Sequence, residues 1–326
     1  MRTARVARFE RAGPPEEVVR VEEVCLAEPG EGEVLVAMEA APINPADLNF
    51  IAGTYGVKPV LPAVPGLEGC GRVVEVGPGS GWVVGDRVRL PEGTGTWRTH
   101  AVVAGAECLR LPGELSAQEA AMLYVNPLTA WRMLHDFVEL KAGDWVVQNG
   151  ANSGVGRCVM GLAKALGLRT VNLVRRGELV AELEALGADK VLVDGPEVPR
   201  RWLEEWGGEA PKLGLNAVGG ESALRVAGLL GKHGTLVTYG AMSKQALKVP
   251  NGMLIFQDLR LRGFWLTAWA KEAGRDAVER ALETVAGFAR ELRVPVVAEY
   301  GLEEVGAALA HASREARGGK VLLRLG

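Results

Sequence analysis

The sequence predicts an α/β protein in which a doubly wound parallel sheet accompanies a smaller β-rich domain. Two observations carry this. Between residues 144 and 265 short apolar strands alternate with helical stretches, and the first of these strands runs directly into a glycine-rich turn and an amphipathic helix. Before residue 120 the chain is instead a series of short β-type runs broken by Gly and Pro. Strand–helix alternation argues a parallel sheet with right-handed crossovers. Closely spaced short strands with turn signals argue a compact β domain.

The β-type runs are "EVLVAMEA" (33–40), "GRVVEVG" (71–77), "DRVRL" (86–90) and "THAVV" (99–103), with turns signalled by "EPGEGE" and "GPGSG". Ser116, with Glu119 three residues on, forms a capping box that opens a helical stretch over 116–137. Strands follow at 144–149, 170–174, 190–194, 213–218, 234–240 and 259–265. Between the first two, residues 155–166 place Val155, Val159, Leu162, Ala163 and Leu166 on one helical face. The last part, from residue 294, reads strand–helix–strand, and its final strand is expected to rejoin the first domain. The expected division is therefore 1–120, completed by about 268–326, and 121–267.

At 326 residues the chain is long for one core and comfortable for two domains. The 48% hydrophobic and 24% charged fractions are those of a soluble globular protein. A net charge of −3 gives no broad electrostatic case for nucleic acid or an anionic membrane as partner. Cys25, Cys70, Cys108 and Cys158 are scattered with no CxxC pair, so they read as small buried hydrophobes and not as a disulfide framework or a zinc site. With no apolar segment near the N-terminus and no run of 18 apolar residues, a reduced, cytoplasmic protein is expected.

The strongest local signal is "VVQNGANSGVGRCVMGLAKALG" (146–167), a buried strand, a glycine-rich turn and a helix in succession. Backbone N–H groups of such a turn, with the helix N-terminus, can meet a pyrophosphate. Ala151, Ser153 and Gly156 occupy the three glycine places of the GxGxxG pattern, and Gly154 adds another small residue. The competing reading is an ordinary strand-to-helix turn. NAD-specific folds end the next strand on an acidic residue; here Arg175 and Arg176 stand there. Two guanidinium groups can grip a 2′-phosphate, which favours NADPH, although a solvated surface pair is the plain alternative.

His100, His135, His233 and His311 lie far apart and none neighbours a cysteine, so no catalytic metal is expected. No GxSxG elbow or Cys/His nucleophile arrangement is present. A hydride acceptor still needs its developing oxyanion stabilised. Tyr55, in "GTYGV", offers a phenol that stays protonated at neutral pH. It either donates to that oxyanion or merely packs its loop.

The segments "APINPADLNFIAGTYGV", "LPAVPGLEGCGRVVEVG", "GTGTWRTHAVV", "VNPLTAWRMLHDF", "QNGANSGVGRCV", "LGLRTVNLVRR", "LNAVGG", "GTLVTYGAMSKQ" and "LIFQDLRLRGFWLTAW" occur in order from about residue 30. Together they resemble the zinc-free branch of the medium-chain dehydrogenase/reductase superfamily, in particular its mitochondrial-type trans-2-enoyl-thioester reductases. Leu67, in "GLEGCG", stands where zinc-dependent members carry a ligand histidine. The resemblance implies a GroES-like β-barrel catalytic domain, a Rossmann domain and a homodimer. The implied reaction is NADPH-dependent reduction of a 2-enoyl thioester, carried on CoA or acyl carrier protein, with hydride to Cβ and a proton to Cα.

By the same resemblance Tyr55 is the catalytic donor and Asn126 lies near the nicotinamide. Asn152, Ser153, Gly154 and Val155 form the phosphate loop, and Arg175, Arg176 and Gly177 the 2′-phosphate segment. Tyr239, Gly240, Ala241 and Met242, then Phe264, Trp265, Leu266 and Thr267, and finally Lys320, are implied cofactor contacts. Each has a plainer alternative: a turn cap for Asn126, sheet-edge core for Phe264 and Trp265, a solvated edge lysine for Lys320. Two features depart from the pattern, Gly150–Ala151 in the loop and Gly177–Glu178 in place of a further basic residue. The alternative activities are an NADPH:quinone oxidoreductase and, more remotely, a non-catalytic NADPH-binding protein.

Overall fold

The structure, a computed structural model, describes residues 2–206, 209–292 and 294–326. Its strands are β1 (Arg2–Arg8), β2 (Arg20–Leu26), β3 (Glu33–Pro42), β4 (Cys70–Val76), β5 (Arg87–Arg89), β6 (His100–Ala104) and β7 (Leu109–Arg110). There follow β8 (Trp145–Asn149), β9 (Arg169–Val174), β10 (Lys190–Val193), β11 (Leu213–Asn216), β12 (Thr235–Thr238) and β13 (Arg260–Gly263), then β14 (Val296–Gly301) and β15 (Lys320–Arg324). The chain divides into two compact units. One comprises Met1–Val125, Glu279–Ala286 and Pro295–Gly326, the other Asn126–Val278 and Gly287–Val294.

The first unit is built on β3. This strand pairs with β4 along one side, while β6 takes residues 33–37 and β15 takes residues 40–42 on the other. Register shifts at Leu35/Val36 and Met38/Ala40 bend the strand between these partners. Phe9, Met38, Ile43, Ile51, Trp97 and Leu323 are among the side chains of its core. The β1–β2 hairpin has no counterpart in the sequence reading. Its charged positions obscure a period-two pattern, in which Ala4 and Val6 face inward.

The second unit is a parallel sheet in the order β10-β9-β8-β11-β12-β13. That order, with the crossover point beside the first strand, is the doubly wound Rossmann arrangement. Neighbouring residues of β8 serve opposite faces: Val146 packs with Cys158, Val159 and Leu162, and Val147 with Leu173, Val226 and Leu236. Such two-sided burial is why these strands read as continuous apolar runs.

The helical stretch over 116–137 is two helices, Ala117–Ala121 and Val125–Asp136. Ser116 caps the first, as the capping box anticipates. Pro127 explains the break, since a proline fits the first turn of a helix but not its interior. Cys70, Cys108 and Cys158 are buried, whereas Cys25 is exposed and departs from the expectation for it.

Candidate functional site

The phosphate loop leaves β8 at Asn149. Ser153 caps the Gly154–Ala165 helix, its hydroxyl accepting the Gly156 N–H at 3.2 Å. Gly156 has no room for a side chain, because a Cβ there would lie 2.4 Å from the Ala151 carbonyl oxygen. Arg157, buried at 5% exposure, holds the loop from below. Its Nε donates to the Asn152 carbonyl at 3.2 Å, and its guanidinium also pairs with Glu182. The sequence reading did not single out Arg157.

Most of the expected cofactor residues come together, because they follow the carboxyl ends of strands in one parallel sheet. Asn152, Ser153, Gly154 and Val155 follow β8, and Arg175, Arg176 and Gly177 follow β9. Tyr239, Gly240, Ala241 and Met242 follow β12, and Phe264, Trp265, Leu266 and Thr267 follow β13. Backbone bonds fix the third set, with the Tyr239 N–H donating to Asn216 O at 3.0 Å and the Met242 N–H to Ala217 O at 3.0 Å. Ligands of open α/β sheets bind at this edge. Phe264 packs partly into the core against Phe137, while Trp265 is 41% exposed.

Beneath this edge lies a buried polar network absent from the sequence reading. The Asn149 amide donates to Asn216 Oδ1 at 2.9 Å and to Ser222 Oγ at 3.0 Å, and accepts the Ala217 N–H at 2.7 Å. Ser222 donates to Asp194 at 2.5 Å, and Arg225 pairs with the same carboxylate. Its signal in the sequence is an asparagine at the end of each of two largely apolar strands, "VVQN" and "LGLN".

Arg175 is exposed and Arg176 half-buried, with Arg176 Nη1 lying 3.2 Å from the Glu178 carboxylate. Among the described residues of this unit four buried polar atoms lack a hydrogen-bond partner, Gln148 Oε1 and Thr235 Oγ1 within strands, and the Tyr239 hydroxyl and Asn126 Nδ2 outside them. Burial pushes the Tyr239 phenol above its usual range. Orphaned buried groups are uncommon in folded proteins and call for an explanation, of which a ligand that supplies the missing bond is one. A capped phosphate loop with no room for a side chain at Gly156, two arginines after β9 and the orphaned Asn126 and Tyr239 atoms fit a phosphorylated dinucleotide.

Tyr55 belongs to the first unit. The Pro45–Ile51 helix ends in a turn at Gly53, whose φ of +71° suits glycine. The N–H groups of Thr54 and Tyr55 then donate to Asn49 O at 2.8 and 3.1 Å, and Lys58 donates to Gly53 O. Tyr55 is half-buried on this loop. Lys320 is in the same unit at 4% exposure, its ammonium donating to Asn44 Oδ1, which rules out a solvated edge lysine. Among the described residues no group of three His, Cys, Asp or Glu side chains could hold a metal.

Residues 30–113 match the model of the alcohol dehydrogenase GroES-like domain and residues 154–286 that of zinc-binding dehydrogenases. The chain is 41% identical to the mitochondrial enoyl-acyl-carrier-protein reductase of Homo sapiens over 308 residues, covering 91% of this chain and 82% of that one. It belongs to the enoyl-acyl-carrier-protein reductase family. The Caenorhabditis elegans reductase is 48% identical over 263 residues, 78% of this chain and 75% of its own. Among solved structures, the complex of Etr1p with NADP and crotonyl-CoA superposes with a TM-score of 0.89 at 29% identity, over 99% of this chain and 100% of that one. A Bacillus thuringiensis protein, provisionally assigned as an NADPH:quinone reductase, reaches 0.89 at 27% identity, covering 99% of each chain.

These relatives correct one expectation. The reductases of this family named above are mitochondrial, against the cytoplasmic location expected from the sequence. The absence of an apolar N-terminal segment bears on secretion alone. Mitochondrial targeting segments are amphipathic and Arg-rich, so that test could not separate the two compartments.

Proposed function

We infer that this protein is an NADPH-dependent enoyl reductase that saturates the 2,3 double bond of trans-2-enoyl thioesters, hydride arriving at Cβ and a proton at Cα. The observation that carries it is the full-length superposition on the Etr1p–NADP–crotonyl-CoA complex, together with the family membership. NADPH supplies the hydride. The chain's own residues bind and orient the substrate and stabilise the charge left on its thioester oxygen, and the proton that reaches Cα comes from solvent.

The phosphate loop of Asn152, Ser153, Gly154 and Val155 receives the pyrophosphate, with N–H groups at the start of a helix that have no intrahelical partner. Arg175 and Arg176 hold the 2′-phosphate beside Gly177. The Tyr239 hydroxyl and the Asn126 amide, orphaned in the protein alone, bond to the cofactor. Gly240, Ala241 and Met242, with Phe264, Trp265, Leu266 and Thr267, line the rest of the same edge. Tyr55 donates its phenolic hydrogen to the thioester oxygen as negative charge develops there, which lowers the barrier without a metal.

Steady-state NADPH oxidation with crotonyl-CoA against 1,4-benzoquinone tests the reading. Efficient quinone turnover without enoyl turnover would replace it by the quinone reductase alternative, which the Bacillus thuringiensis fold match favours. The same assay with crotonyl-acyl carrier protein ranks the two carriers.

The protein is also proposed to be a homodimer through β13. This edge strand is exposed along its length, and the adjoining Asn251–Gln257 helix has no buried residue. Ile255 at 69% and Phe256 at 78% exposure give the face an apolar character that favours a partner surface. Phe256→Asp should shift the light-scattering mass from dimer to monomer; a wild-type monomer would sink this assignment.

A further inference from the structure

At the start of the Pro45–Ile51 helix, Asn44, Asp47 and Glu68, which have no part in the chemistry above, form a buried polar group with Lys320, the residue that the resemblance makes a cofactor contact. Asn44, Asp47, Glu68 and Lys320 have exposures of 2%, 0%, 0% and 4%. Burying carboxylates and an ammonium costs desolvation that well-packed apolar residues avoid, so stability alone does not account for them.

Their bonds converge on one end of one helix. The Asn44 N–H donates to Asp47 Oδ2 at 2.7 Å, and the Asn44 amide donates to Glu68 Oε1 at 2.8 Å while accepting from Lys320. Asp47 Oδ1 accepts the Leu67 N–H at 2.9 Å, and Glu68 Oε2 the Val125 N–H at 2.7 Å. Three separated stretches of chain, at residues 67–68, 125 and 320, are thereby tied to the N-terminal turn. At the other end of the same helix, the Asn49 carbonyl accepts the Tyr55 N–H at 3.1 Å. A helix of this length is about 10 Å long, a rigid lever between the network and the Tyr55 loop.

We infer that Asn44, Glu68 and Lys320 are positioning residues for the Tyr55 phenol, fixing the helix from whose last turn the Tyr55 loop hangs. The inference rests on Tyr55 being the donor. Lys320 then serves the reaction through Asn44. Loss of register by about 1 Å at a reacting group can cost on the order of a hundredfold in rate.

The test is a double-mutant cycle with Tyr55→Phe, Lys320→Met and Asn44→Ser alone, and with each of the latter two combined with Tyr55→Phe. The readouts are kcat, KM for crotonyl-CoA and the NADPH dissociation constant from fluorescence titration. Lys320→Met and Asn44→Ser are expected to lower kcat at least tenfold, with KM and, for Asn44→Ser, NADPH binding changed less than threefold. Neither should lower kcat further once Tyr55 is Phe. Equal fold-losses in both backgrounds overturn the inference, as does an unchanged kcat in the single variants. An unchanged kcat for Tyr55→Phe alone removes the donor reading and the inference with it; a lowered one with additive losses removes only the inference. Should Lys320→Met not fold, Asn44→Ser retains an N-cap oxygen and completes the cycle by itself.

Discussion

The Cα hydrogen of Gly156 that a methyl would replace points at the carbonyl oxygen of Ala151, 2.4 Å from where the new carbon would sit. Both atoms are backbone-anchored, so Gly156→Ala must reshape the phosphate loop. NADPH affinity is expected to fall more than tenfold and the thermal midpoint to drop, since overpacking costs about 1–3 kcal/mol. Isothermal titration and a melt on the same sample check it. Wild-type affinity would mean that the pyrophosphate binds elsewhere.

Tyr55→Phe removes only the hydroxyl of a half-buried loop residue. If the phenol stabilises the oxyanion, kcat should fall roughly a hundredfold or more. The NADPH dissociation constant should not change, because the phosphate loop and the two arginines belong to the other unit. An unchanged rate returns Tyr55 to packing its loop.

Arg176 shares its guanidinium with Glu178 at 3.2 Å, a pair whose carboxylate side chain is 70% exposed. Exposed pairs contribute at most about 1 kcal/mol, so a 2′-phosphate can displace Glu178 at small cost. Glu178→Gln is expected to tighten NADPH binding about two- to fivefold, and Arg176→Ala to weaken it tenfold or more. NADH binding should move less than twofold in either case. The gain from Glu178→Gln should shrink in high salt, as screening requires. Equal effects on both cofactors would take Arg176 away from the 2′-phosphate.

The parallel sheet was legible because both of its faces are buried, which writes each strand as an apolar run, and because the β8 turn carries its own small residues. Tyr55, Arg175 and Arg176 stood out as polar residues at turns. The buried network did not. Asn44 and Asp47 are close in sequence, but nothing near them points to Glu68 or Lys320, which the pairing of β3 with β4 and with β15 brings within reach. Arg157 was likewise hidden, since a basic residue in a first helical turn reads as a surface position until its partner Glu182 is placed.

Burial pushes the Asp47 carboxyl up to about 7, against the bonds from the Asn44 and Leu67 N–H groups, with Glu68 adding to the rise and Lys320 opposing it. An acid whose pKa is raised on folding holds its proton more tightly in the folded state. The stability this contributes is complete below the unfolded value near 4 and is lost as pH rises through about 7. Relative to Asp47→Asn, which does not titrate, the wild type should therefore lose a few degrees of thermal midpoint between pH 4 and 7.5. Glu68 and Lys320 are common to both proteins, so the difference isolates Asp47. A constant offset would show that Asp47 has the same pKa folded and unfolded.

Tyr239→Phe separates stability from function at one atom. The hydroxyl is buried with no hydrogen-bond partner, and an unsatisfied buried hydroxyl costs about 1–3 kcal/mol. Removing it should raise the thermal midpoint of the protein without cofactor. If NADPH supplies the missing bond, the same change should weaken NADPH binding several-fold and reduce the stabilisation that saturating NADPH gives the wild type. Melts with and without NADPH measure both halves. A variant less stable without NADPH would mean that the hydroxyl already has a partner inside the protein, and would take Tyr239 out of the cofactor site.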